Sequence, residues 1–263
     1  MQKPNILDLK AVEKEVQSLL KDSSFVSHSF EHVKRVASGA SYFTALDNGD
    51  EIDKSIAYVA GLIHDLGRPK SEYKDHSKSS EESAREFLKR FDCNGKAEEV
   101  VNLVANHRQM TDCRTRDRSV YIADKVLEQM GAYLAFRGAV YATEMEEFAD
   151  RDEEGLMDAQ CDVTTKRMET YPVEGFPKKI RTLTKYQRDL ALNFVDHLRK
   201  GDDWAVSLAT FCYERIKAGT AGSVDNLVRS YNPISMNDME YKKEAMWYLT
   251  ASPEEFCRDF IES

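Results

Sequence analysis

No proline falls between Pro69 and Pro172. Proline removes a backbone donor and clashes with the preceding turn, so its absence over so long a stretch permits nearly continuous helix. Apolar residues repeat at helical spacing, as from Ile6 to Leu20, where Leu7, Leu9, Val12, Val16, Leu19 and Leu20 fall largely on one face. Further helices are predicted at about Ser29–Leu46 and from Asp53, as N-cap, to Asp65, where Gly67 and Pro69 end the run. Ser79-Ser80-Glu81-Glu82 reads as a capping box opening a helix through Leu88. The pattern continues over Ala97–His107, Ser119–Met130, Ala132 to about Phe148, Lys185–Lys200, Trp204–Lys217 and Met239–Thr250, and a last helix opens at Ser252-Pro253-Glu254-Glu255. Between about Arg151 and Ile180 periodicity fades, and Gly155, Pro172, Gly175 and Pro177 predict a long loop or lid. With no strand alternation of useful length, the expectation is an all-α fold in a single domain over 1–263. Its core spans 25–140, and 141–263 supply the lid loop and C-terminal helices.

Charge restricts the partners. Lys and Arg total 37 against 46 Asp and Glu, a net charge of -9, which disfavours nucleic acid and anionic membranes. The five cysteines are widely spaced and never form CxxC, as expected of reduced thiols in a cytoplasmic protein. Met1–Leu20 has no apolar core of a secretory signal, and no window is apolar enough to span a membrane.

Five of the six histidines lie between His28 and His107. His64-Asp65 ends the apolar run Val59-Ala60-Gly61-Leu62-Ile63, and a core-facing His–Asp pair needs a partner or an ion. His32 lies upstream, and Asp124 lies in Val120-Tyr-Ile-Ala-Asp124-Lys125-Val126. Two imidazoles and two carboxylates from three helices make a mixed nitrogen and oxygen site suited to Mn, Fe, Ni, Co or Zn. His28 is one turn from His32 and reads as packing or as a bond to a ligand. His107 ends a helix, where a histidine also suits the dipole. His197 reads as structural, and Tyr133, Phe136 and Tyr141 as core.

The order His32, His64-Asp65, Asp124 resembles the H…HD…D motif of the HD-domain superfamily. His28-Ser-Phe-Glu-His32-Val-Lys-Arg35-Val36 is similar to that family's H-D-x-x-H-x-x-R-V opening, with Ser29 in place of Asp. Ala60-Gly61-Leu62-Ile63-His64-Asp65-Leu66-Gly67-Arg68 resembles A-A-L-L-H-D-I-G-K, and Val104-Ala105-Asn106-His107 resembles an I-x-x-H helix end. Ala123-Asp124-Lys125 through Gly131-Ala132 to Arg137 is similar to the A-D-R-L-D-A-L-G-A…R stretch of metal-dependent phosphohydrolases, departing from it at Glu128. The resemblance covers about His28–Gly138.

It implies an HD-domain helical bundle with a C-terminal helical extension, and a hydrolase that cleaves a small phosphate ester, a nucleotide first, with metal-activated water. His32, His64, Asp65 and Asp124 would hold the ion. Asp65 would also orient the water or bridge a second ion, for which His76 and His107 are available. Arg68 and Lys125 would stabilise the phosphoryl charge, Arg137 would join them in binding substrate, and His107 would protonate the leaving group or ligate. Lys70 and the run Arg108, Arg114, Arg116, Arg118 read as solvated. Two other readings use the same residues: an HD-type di-iron oxygenase, with His76 and His107 completing six ligands, and a non-catalytic nucleotide sensor.

Overall fold

The computed structural model describes residues 5–21, 26–68, 77–108, 115–148 and 150–261. Among them are thirteen α-helices and no strand beyond one isolated bridge between Asn5 and Asp92. No described helix is long and apolar enough to cross a membrane. The chain divides into two compact units. The described residues within Met1–Ser24 and His28–Leu127 form one, and those within Phe25–Ser27 and Glu128–Ser263 the other. The division falls after Leu127.

The first unit holds α1 (Leu9–Leu20), α2 (Phe30–Leu46), α3 (Glu51–Ile63), α4 (Ser77–Leu88), α5 (Ala97–Ala105) and α6 (Ser119–Ile122). Its centre is the pair α2 and α3, which small residues bring close together. A Cβ on Gly61 of α3 would lie 2.5 Å from the Ala37 Cα of α2, so only glycine permits this approach. One turn beyond Gly61, the α3 backbone ends in His64 and Asp65 facing α2. Asp50, not Asp53, is the N-cap of α3. Asp53 is the reciprocal partner three residues on, and both are cap-forming types that sequence alone does not rank. Helix α4 begins at Ser77, so the expected box at Ser79 lies within it.

The predicted helix 119–130 breaks up. After the single turn of α6, Ala123–Leu127 form a π-helical turn, and Glu128–Met130 are irregular. A Cβ on Gly39 of α2 would lie 2.9 Å from Leu127 Cδ1 and 3.0 Å from the Ala123 Cβ. The missing side chain thus lets the π turn press against α2.

The second unit holds α7 (Gly131–Glu144), α8 (Glu153–Thr170), α9 (Arg181–Arg199), α10 (Asp203–Lys217), α11 (Val224–Ser230), α12 (Met236–Thr250) and α13 (Pro253–Cys257). Helix α7 is buried continuously from Gly131 to Ala142, and α8 through α12 pack on it. The expected lid loop is a correction. Residues Glu153–Thr170 form an eighteen-residue helix, capped by Asp152 accepting from the Gly155 N–H. Its buried side includes Gln160, Cys161 and Thr164, so no apolar stripe announced it. Helix α11 had also gone unpredicted, while α13 opens with the expected capping box and Pro253 in its first turn.

Candidate metal centre

His32, His64, Asp65, His107 and Asp124 converge inside the first unit. Four imidazoles form an edge-to-face row, with ring centroids 5.5 Å apart for His28 and His32, 5.4 Å for His32 and His64, and 5.3 Å for His64 and His107. All four are buried, as are Asp65 and Asp124. Asp65 Oδ2 stands 2.8 Å from His28 Nδ1, 3.3 Å from His64 Nε2 and 3.5 Å from His32 Nε2. Asp124 Oδ1 lies 3.8 Å from His32 Nε2. Donor atoms fall into two overlapping groups, His28 with His32 and Asp65, and His32 with His64 and Asp124, each within 4.8 Å.

Backbone geometry sets the ring orientations. His64 Nδ1 donates to the Gly61 carbonyl at 2.7 Å, and His107 Nδ1 to the Val104 carbonyl at 2.5 Å. A carbonyl only accepts, so each Nδ1 carries a proton, and a ring that is neutral then has its lone pair on Nε2. For His64 that Nε2 is buried, has no hydrogen-bond partner among the described residues, and stands beside a carboxylate oxygen. A lone pair facing an anion out of water needs a cation between them, a proton or a metal ion. Such a carbonyl bond on the far ring nitrogen is also how metal-ligating histidines are held. The donor set therefore fits a divalent ion.

The protonation pattern follows. Burial opposes ionisation of Asp65, yet Arg68, His64 and His28 hold its carboxyl well below the usual carboxylate range. Burial opposes that of Asp124 too, and Lys125, His64 and His32 outweigh it. His64 is disfavoured as a cation by burial, but Asp65 and Asp124 raise it above its ordinary value. His107 is pushed well below its ordinary value by burial and by His64 and Lys125, and is neutral at neutral pH.

The cationic side chains divide. Arg68 Nε is 3.3 Å from Asp65 Oδ1 with its side chain one-fifth exposed. Lys125 Nζ is 2.5 Å from Asp124 Oδ2 and is buried. The π turn presents Asp124 and Lys125 together, and such widened turns recur at functional sites. Arg137, expected with them, belongs to the second unit. There its fully buried guanidinium donates to Glu128 Oε2 at 3.0 Å, to the Glu128 carbonyl at 3.0 Å and to the Ser27 carbonyl at 2.9 Å. Arg118, read as solvated, is buried with its guanidinium over Tyr121. Arg116 pairs with Asp53. Tyr133, Phe136 and Tyr141 are core, and His197 pairs with Asp202 at 2.5 Å. His76, Lys70 and Arg114 lie outside the described residues. The residue whose place sequence reasoning left open is His28, and its one-turn spacing from His32 was the available signal.

Residues 29–128 match the family model described as HD domain. No curated protein and no solved structure matches the chain.

Proposed function

Residues 29–128 of this chain are an HD domain, and on that premise we propose a metal-dependent phosphohydrolase acting on a small phosphate ester, a nucleotide first. The observation that carries the reading is the buried His64 Nε2, its ring fixed by the Gly61 carbonyl and turned to the Asp65 carboxylate within reach of His32 and Asp124. His32, His64, Asp65 and Asp124 would hold a divalent ion of the Mn, Fe, Ni, Co or Zn class. When bound, such an ion supplies a Lewis acid that polarises phosphorus and makes water nucleophilic at neutral pH.

The remaining roles belong to the chain itself. Asp65, ionised across the physiological range, orients the attacking water by accepting its hydrogen bond. Arg68 is anchored on Asp65 yet partly exposed, so its free N–H donors suit the non-bridging oxygens of an incoming phosphate. Lys125 contributes a point charge beside Asp124 and stabilises negative charge as it builds on the phosphoryl group. His107, neutral with Nδ1 committed to a carbonyl, acts as an acceptor or ligand and not as the acid for the leaving group. Arg137 is left out of substrate binding, since Glu128 and Ser27 already take up its guanidinium.

The test is phosphate release from a panel of nucleoside monophosphates by metal-stripped protein, before and after addition of Mn, Co, Ni or Zn. The reading predicts release only with metal. No release under any metal overturns it. Nucleotide binding without release supports the sensor, and two irons per chain with substrate-dependent oxygen uptake supports the oxygenase.

A further inference from the structure

A carboxylate that both ligates and orients water works only if its rotation about Cβ–Cγ is fixed. Asp65 has two such constraints, one on each oxygen. Oδ1 faces Arg68 Nε at 3.3 Å, and Oδ2 is approached most closely by His28 Nδ1, at 2.8 Å. His28 closes the short turn Val26–His28 and immediately precedes Ser29, the N-cap of α2. It is thus tied to the helix that carries His32 but stands off its regular spiral. Both His28 and Asp65 are 4% exposed, so water does not compete for the contact.

We propose that His28 is a positioning residue of the metal centre, its Nδ1–H holding Asp65 Oδ2 so that the carboxylate presents a fixed edge to the ion. The inference rests on the metal reading above. Outer partners of ligating carboxylates typically contribute about 10- to 100-fold in metal affinity. A donor at the Nδ1 position is the whole requirement. Asparagine meets it, because its amide nitrogen is bonded to Cγ as Nδ1 is, whereas leucine has no donor and glutamine places its amide one bond further out.

The experiment is calorimetric titration of Mn(II) into the metal-stripped full chain, wild type and His28→Leu, His28→Asn and His28→Gln, with thermal unfolding of each metal-free protein alongside. The expected result is a loss of about 10- to 100-fold in affinity for His28→Leu and His28→Gln, recovery to within a few fold for His28→Asn, and unchanged stoichiometry. Unchanged affinity in His28→Leu overturns the proposal and leaves His28 as packing. Equal loss in all three variants also overturns it, since a direct ligand is not replaced by an amide donor. Where His28→Leu does not fold, the contrast between Asn and Gln decides. A wild-type chain that binds no divalent ion overturns the metal reading itself, a result distinct from failure of the His28 role.

Discussion

Both units of the molecule bury charge, and they handle it differently. In the second, the buried pair Arg137 and Glu128 is matched, with Glu128 also bonded to the Tyr248 hydroxyl, and the part-buried Glu144 accepts from the Val26 and Ser27 amides and the Ser27 hydroxyl. Tyr213 and Cys161 stay protonated there because burial raises both. In the first, two carboxylates are held in the ionised form among four imidazoles, Asp65 beside Arg68 and Asp124 beside Lys125. A network of matched pairs stabilises a fold, whereas imidazole and carboxylate donors gathered within 4.8 Å of one another can also hold a cation.

The sharpest way to break this contrast is to remove an acid from the first unit. Asp124→Ala should reduce metal-dependent phosphate release to background, measured as released phosphate on circular-dichroism-verified folded protein. Retention of wild-type turnover would place the chemistry elsewhere. In the second unit, Arg137→Met leaves Glu128 buried without its counter-ion and should cost about 3–5 kcal/mol in denaturant unfolding. Replacing both partners by apolar residues of similar volume should recover much of that, and Mn(II) affinity of the folded protein should not move. A next, smaller effect is stabilisation by the ion: at a free Mn(II) concentration 100 times its Kd, unfolding free energy should rise by about 2.7 kcal/mol, and chelation should reverse it. A chelator-insensitive Tm at saturating metal would count against a folded-state site.

The smallest effect comes from the buried thiols. Burial pushes Cys161 from 9.0 up to about 11, so between these values the unfolded chain has already lost a proton that the folded chain retains. Stability must then fall as pH rises through that interval. Unfolding scans at pH 8.5 and 10.5 should show a shallower decline for Cys161→Ala than for wild type. Equal slopes would mean that the thiol is not shielded.

The four proposed ligands were legible because His and Asp are costly in apolar helical surroundings, and their order matched a known motif. Arg68 and Lys125 were legible by adjacency to them. Arg137 was misplaced because its counter-ion, Glu128, lies nine residues back across an irregular stretch, outside the i, i+3 and i, i+4 spacings that sequence reasoning can pair. The π turn was hidden because Val120 to Leu127 reads as ordinary apolar helix. The close approach of Ala123 and Leu127 to Gly39 of α2 is a tertiary contact that local sequence does not announce. Helix α8 was hidden by the polar residues it buries, among them Gln160, which bonds the Ala135 carbonyl at 2.8 Å and the Tyr213 hydroxyl at 2.6 Å.

The most direct test of the central claim is an electron paramagnetic resonance titration of Mn(II) into metal-stripped protein, wild type and Asp65→Ala side by side. The free-ion signal should be suppressed by the wild type in fixed stoichiometry and remain at full strength with Asp65→Ala. A free-ion signal undiminished by the wild type, or suppressed equally by both proteins, would contradict a metal centre built on His32, His64, Asp65 and Asp124.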